Sequence, residues 1–333
     1  MLPLTKSLKS PLKSPLKMLK YLVLASVIAL SLYVIRKHRD ILPPKPSQPL
    51  PAEIYKLISP SSYKYHINQG ELCLNRKPLL VLVIPVTLQD FESRSAIRNT
   101  WGQENLVPNV DIVRVFFIGE PRAHSPKLQE DLQSESVEYR DIIQMDFQDT
   151  YQNLTIKTMM IINWVATYCH SAQYVMKIDA DIFLNLPYLV HYLQDKPKHN
   201  FITGSVIIDA RPRRNPKSKW YLSKEVYPES MLPPYLSGAG YVFSIDLAKK
   251  ISMASKFLRP VPIEDVYVGM CLSFLQVRPE FAWTLLPYRN LFEVRHLDYD
   301  RCTFAKRIIV TGFTAAKLVN MWTDLQSAGF SCS

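Results

Sequence analysis

Two carboxylates two positions apart, directly after an apolar run, are the feature of this chain most suggestive of chemistry. Tyr174–Ile178 (YVMKI) leads straight into Asp179-Ala180-Asp181-Ile182-Phe183. In extended backbone, residues i and i+2 point to the same side. Asp179 and Asp181 therefore face one point just past the end of a strand. Paired carboxylates repel unless a cation or a donor-rich ligand lies between them. A hard divalent ion, Mn²⁺ or Mg²⁺, suits such oxygen ligands and bridges them to phosphates. Taken alone, Asp-x-Asp is also an ordinary helix cap or turn.

Three other segments carry candidate groups. Glu264-Asp265-Val266-Tyr267-Val268-Gly269 follows Pro260 and Pro262. Acidic residues suit the first turn of a helix because of its dipole. A carboxylate placed there also serves as a general base toward a hydroxyl if it faces a crevice. Pro234–Ser244 (PYLSGAGYVFS) holds Gly238 and Gly240 in an aromatic setting, where a bare backbone permits close approach of a ligand. It lacks the full G-x-G-x-x-G of a dinucleotide site, and a tight turn before a strand is the plain alternative. In Ser93–Gly102 (SRSAIRNTWG), Arg94 and Arg98 lie four apart on one helical face. That face either holds phosphates or is a solvated basic surface.

Positioning these groups takes a sheet. Leu79–Pro85 (LLVLVIP) is a wholly apolar run, as in a strand buried on both faces. A helix is predicted over Ser93–Trp101, a strand over Ile112–Ile118, a helix over Asn153–Tyr168, a strand over Tyr174–Ile178 and a helix over Leu186–Leu193. This alternation predicts an α/β fold, a Rossmann-like, mostly parallel sheet flanked by helices on both faces. Ligands of such sheets bind outside the carboxyl ends of the strands.

The flanks set the setting. The chain has a formal net charge of +11, yet eight positive charges precede Asp40, the first acid, leaving +3 over residues 40–333. That excess is too small for the counterion release of nucleic-acid binding, so no nucleic-acid partner is expected. Tyr21–Ile35 is uncharged and ends in a basic cluster rather than a small-residue cleavage site. Residues 1–17 are expected to be a cytosolic tail and 18–36 a transmembrane signal anchor, oriented by the positive-inside rule. Prolines 43, 44, 46, 49 and 51 predict a stiff stem over 37–76, with the globular domain from 77 to 333 in the lumen. The five cysteines are Cys73, Cys169, Cys271, Cys302 and Cys332. In an oxidising lumen they read as two disulfides and one free thiol, of open connectivity. Asn153-Leu154-Thr155 is the one glycosylation sequon.

Taken together, RSAIRNTWG (94–102), DTYQNLTIKT (149–158), KIDADIFLN (177–185), KW (219–220), PPYLSGAGYVFS (233–244) and EDVYVG (264–269) occur in the order typical of one family. The chain resembles the β-1,3-galactosyltransferase and β-1,3-N-acetylglucosaminyltransferase family, glycosyltransferase family 31. The resemblance implies a GT-A fold, a UDP-sugar donor, Mn²⁺ (or Mg²⁺), inversion at the anomeric carbon and a single-pass type II Golgi membrane protein. UDP-galactose is the expected donor and a glycan 3-hydroxyl on protein or lipid the acceptor. UDP-N-acetylglucosamine is the alternative donor, and a catalytically degenerate sugar- or nucleotide-binding member the alternative of another class. Asp181 would ligate the metal, with Asp179 near the ribose and diphosphate. Asp265, or its neighbour Glu264, would take the proton from the acceptor. Arg94, Arg98, Gly238 and Gly240 would line the donor, while Trp220 and Tyr241 would offer faces to sugar rings. One departure stands out: Gly312, within Lys306–Phe313 (KRIIVTGF), occupies the place of an expected metal-binding histidine. His296 or water would have to substitute, and weaker metal affinity is expected.

Overall fold

The computed structural model describes residues 15–39, 48–123, 125–283 and 290–326. The chain divides into two compact units at residues 44 and 45. Among its described residues the first holds one helix, α1 (Pro15–Arg39), which carries the uncharged run. Among the described residues, no helix is long and apolar enough to cross a membrane.

The second unit is an α/β body. Its elements in chain order are α2 (Ala52–Tyr55), β1 (Tyr65–Ile67), β2 (Leu80–Pro85), α3 (Phe91–Arg98), β3 (Ile112–Glu120), α4 (Pro126–Tyr139), β4 (Ile142–Gln148), α5 (Leu154–Tyr168), β5 (Tyr174–Ile178) and β6 (Ile182–Leu184). There follow α6 (Leu186–Leu193), β7 (Ile202–Ile207), β8 (Tyr235–Ser244), α7 (Asp246–Ala254), α8 (Glu264–Phe274), β9 (Glu280–Phe281), β10 (Phe292–His296), α9 (Arg301–Ala305), β11 (Ile309–Thr311) and α10 (Ala315–Gln326).

The main sheet has the order β1-β4-β3-β2-β5-β8-β7-β9. Strands β4, β3, β2 and β5 are parallel. β8 runs antiparallel to both β5 and β7, and β1 antiparallel to β4. The sheet is thus mixed around a parallel block of four, rather than mostly parallel. The reason lies in β2. Val81 and Val83 pack into the core on one face with α5, α7 and α8, while Leu80, Leu82 and Ile84 pack into the core on the other with α3, α6 and α10. Only strands needing two apolar faces read as continuous apolar runs; β8, interrupted by its Ser-Gly-Ala-Gly, does not declare its direction.

The folded body also begins earlier than residue 77. β1, inside the expected stem, pairs with β4, and Leu50 N–H donates to Lys256 O at 2.7 Å. Cys73 is bonded to Cys169 at the end of α5, Cys302 is also disulfide-bonded, and Cys271 is free and buried. Cys332 lies outside the described residues. A second, three-stranded sheet, β10-β11-β6, begins directly after Asp181. The two aspartates therefore occupy the step between the two sheets.

Candidate functional site

The site is assembled by the register of β5 against β8. Lys177 pairs with Tyr241 and Ile178 with Gly240, and Asp179 N–H donates to Ala239 O at 3.0 Å. This sets the Ser-Gly-Ala-Gly backbone beside the end of β5. Helix α8 then brings Glu264 and Asp265 to the same spot. It packs so closely on β8 that a Cβ at Gly269 would stand 2.5 Å from Tyr235 Cβ, so only glycine permits the approach.

At the junction lies a lysine to which no role was assigned from sequence. The Lys177 ammonium donates to Asp179 Oδ1 at 2.6 Å, to Glu264 Oε1 at 3.2 Å and to the Gly238 carbonyl. The other Glu264 oxygen receives Thr158 Oγ1 at 3.3 Å. Burial alone would lower the ammonium pKa; Asp179 and Glu264 more than offset this and raise it. Glu264 is pushed up to about 7, chiefly by burial, with Lys177 opposing the shift and Asp265 and Asp179 adding to it. Asp265 is half-buried. Its Oδ2 accepts from Gly238 N–H at 3.2 Å and its Oδ1 from Val266 N–H at 2.7 Å. Burial raises its pKa, and these backbone donors pull it back.

Asp181 is exposed, its carboxyl raised by desolvation and by the nearby Asp179 charge. Its backbone is fixed from two sides. Trp101, fully buried, donates its indole N–H to Ile182 O at 2.9 Å, and Gly312 and Phe313 N–H donate to Asp181 O at 3.1 and 2.9 Å. The segment expected to carry a histidine thus reaches Asp181, but Gly312 brings a backbone with φ 95° and no side chain. The backbone of His296 pairs with Thr311; its side chain lies outside the described residues. Among the described residues, no three ligand-type side chains gather into a cage for an ion. Asp181 and Asp179, near enough for their charges to interact, offer a short set of hard oxygens. Such a set fits a divalent ion that keeps waters and takes its remaining ligands from a substrate's phosphates.

Two expectations are corrected. Arg94 and Arg98 do not line a ligand crevice. Arg94 is bidentate to Glu135 at 2.9 and 2.7 Å and also donates to Thr87 O at 2.9 Å; Arg98 reaches Glu135 at 2.6 Å and is bidentate to Asp141 at 2.9 and 2.7 Å. Both are buried with their charges compensated by Glu135 of α4 and by Asp141, the residue before β4. Their contribution is indirect, since Arg94 holds the loop that leaves β2. Tyr241 cannot stack on a sugar, because it is 1% exposed in the core. Its hydroxyl lies close to Glu264 without a hydrogen bond of good geometry. Trp220, by contrast, is 46% exposed. Beside it stands Tyr151, also exposed, whose pKa is raised by desolvation and then by Asp265. Tyr151 was not singled out from sequence; its place in DTYQNLTIKT was the available signal. Lys177 had a clearer one, as the single charge within an otherwise apolar strand.

Gly238 gives a direct test of the packing. A Cβ there would stand 2.5 Å from Glu264 Oε1. Gly238→Ala must displace that carboxylate, and overpacking of this kind costs about 1–3 kcal/mol. The expected result is a lower melting temperature together with a loss of turnover; an unchanged kcat would show the junction to be slack. The sequon is also constrained. Asn153 is half-buried and donates to Gln148 O at 2.8 Å, while the buried Thr155 hydroxyl donates to Val261 O at 2.7 Å. A glycan on the Asn153 nitrogen leaves that amide one N–H, which suffices for the single hydrogen bond to Gln148 O. Glycosidase treatment of protein from secretory cells is expected to increase its gel mobility, and Asn153→Gln to abolish that shift; an unchanged mobility would show the sequon to be unused.

Comparison with known proteins identifies the family. The galactosyltransferase family model matches residues 92–281. Mouse beta-1,3-galactosyltransferase 2 is 44% identical over 274 residues, covering 80% of this chain and 64% of that protein. Mouse beta-1,3-galactosyltransferase 1 is 38% identical over 274 residues, covering 81% of each. The chain thus spans just under two thirds of the length of the first of these relatives. Among solved structures, the mannosyltransferase PcManGT from Pyrobaculum calidifontis, in complex with GDP-Man and Mn2+, is 14% identical, with a TM-score of 0.35 and coverage of 78% of this chain and 64% of that one. A likeness that low assigns neither fold nor activity. The family match spans more than half of the chain and contains the Asp179–Asp181 step, the Gly238–Gly240 strand and the start of α8, and the chain belongs to the galactosyltransferase family.

Proposed function

We propose that this chain, in a GT-A-type frame, transfers galactose from UDP-galactose to the 3-hydroxyl of a terminal sugar on a glycoprotein or glycolipid. The linkage formed is β-1,3, with inversion. The observation that carries the reading is Gly238. Its carbonyl is held by the lysine that grips Asp179, and its N–H by Asp265. A donor-type and a base-type carboxylate thus meet at one residue, at the carboxyl end of β5. The names of the similar proteins support galactose as the sugar and β-1,3 as the linkage.

Asp265 is the better candidate for the base than Glu264. Asp265 is only half-buried and is held by backbone N–H groups alone, whereas both oxygens of the buried Glu264 are engaged by Lys177 and Thr158. Asp265 accepts the proton of the acceptor hydroxyl as its oxygen forms a bond to the anomeric carbon. The bond from that carbon to the phosphate oxygen breaks, and UDP departs with the electron pair from the opposite face. The Gly238 and Val266 N–H groups hold the Asp265 carboxylate in orientation. Asp181, with Asp179, would hold a divalent ion such as Mn²⁺, which would supply charge to offset the leaving group. Trp220 and Tyr151 offer exposed aromatic faces to an acceptor ring. Residues 18–36 serve as a single-pass type II anchor in the Golgi membrane, a reading supported by the uncharged Tyr21–Ile35 run and its basic flanks.

The test is UDP release from a panel of UDP-sugars and free acceptors, with and without Mn²⁺. Turnover with UDP-galactose is the expected result. Turnover restricted to UDP-N-acetylglucosamine would transfer the assignment to that donor, and nucleotide binding without release in any mixture would overturn it.

A further inference from the structure

Lys177 has no part in the chemistry described above, yet every contact it makes touches that chemistry. Its side chain is 6% exposed. An ammonium has three N–H donors and no acceptor. Here it meets three acceptors on three elements: Asp179 just past β5, Glu264 at the start of α8, and Gly238 on β8. With its donors matched in this way, the ammonium is not available to grip a phosphate or a sugar hydroxyl. Thr158 of α5 extends the same network through the far oxygen of Glu264.

We propose that Lys177 is a positioning residue whose buried ammonium locks the donor-side Asp179 and the Glu264–Asp265 turn to Gly238, fixing the base relative to the donor before either substrate arrives. The proposal rests on Asp265 being the base. Its geometry is a cross-brace through one glycine: the Gly238 carbonyl faces Lys177, and the Gly238 N–H faces Asp265. An apolar residue at 177 would leave the Asp179 and Glu264 charges confronting each other with no cation between them. Arginine would bring a planar, five-donor fork in place of a compact point charge. The three acceptors, one oxygen each from Asp179, Glu264 and the Gly238 carbonyl, surround a single nitrogen. The charge and the shape of lysine are therefore both in use.

The experiment compares Lys177→Met, the double variant Lys177→Met/Glu264→Gln, and Asp265→Asn in the otherwise intact chain. It reads melting temperature, UDP affinity by calorimetry in Mn²⁺, and kcat with KM. Lys177→Met should melt below the parent, because the buried Glu264 carboxylate and the partly exposed Asp179 lose the cation between them. Glu264→Gln removes one of those charges, so the double variant should recover much of the melting temperature. Its kcat should nonetheless stay about 10²-fold down with KM and UDP affinity within about threefold, the scale of loss that an ångström of misplacement produces. If kcat recovers together with stability, Lys177 is a structural residue only and the proposal falls. It also falls if the double variant does not fold, since charge relief should restore the core. Asp265→Asn separates the two readings: if that variant keeps parental turnover, the assignment of the base fails. If it is inactive while the Lys177 variants turn over normally, the positioning role alone fails.

Discussion

Asp265→Asn lowers kcat by about 10²–10⁴-fold, the range that a positioned general base contributes, and leaves the fold standing. The two halves of this expectation have separate causes. Asparagine keeps the shape and one carbonyl oxygen, so one of the two backbone donors, Gly238 N–H or Val266 N–H, retains its partner. The other loses a hydrogen bond, a cost of about 1 kcal/mol. The change also removes a charge that stands beside the buried Glu264 and adds to its pKa shift, which returns part of that loss. The acceptor hydroxyl, in contrast, loses the group that would receive its proton. UDP release with saturating acceptor measures the rate, and a melting curve with UDP calorimetry measures the integrity of the fold and the donor site. A kcat within threefold of the parent would refute the role of Asp265.

The second large effect concerns stability. Glu135→Ala is expected to reduce the unfolding free energy by about 3–5 kcal/mol, the cost of removing one partner from a buried ion pair. Glu135 serves both Arg94 and Arg98, while Asp141 serves Arg98 and Arg114. Three guanidinium groups share two carboxylates, with side chains no more than 9% exposed. Removing Glu135 leaves three buried cations on one anion. Chemical denaturation measures the loss, and kcat per folded molecule is expected to hold. A drop in donor affinity with stability intact would instead return Arg94 and Arg98 to the nucleotide.

The same cluster marks the boundary of what was readable in the sequence. Four largely apolar runs and their spacing predicted β2, β3, β5 and the helix α6 almost to their ends, because burial keeps nearly all of their residues apolar. Asp179, Asp181, Glu264 and Asp265 were legible as carboxylates at element ends. Arg94 and Arg98 were misplaced because an i, i+4 spacing states that two residues share a face, not what covers it. The cover, Glu135 and Asp141, comes from α4 and the residue before β4, more than thirty positions on. Tyr241 was misplaced because its inward direction follows from the pairing of β8 with β5, which only the register reveals. The early start of the folded body was hidden because β1 is three residues long and half-exposed, too short to show a period.

The Cys73–Cys169 bond, whose half-cystines are 96 positions apart, encloses β2, β3, β4, α3, α4 and α5 in a single covalent ring. The arginine–carboxylate cluster lies inside that ring, while all four carboxylates of the candidate site lie outside it. Closing a loop of this length restricts the unfolded chain by about 4–5 kcal/mol in the chain-entropy view. A thiol reductant would therefore loosen the scaffold that the catalytic groups lean on without touching the groups themselves. Damage of that kind would show first as heat sensitivity, before any change in rate.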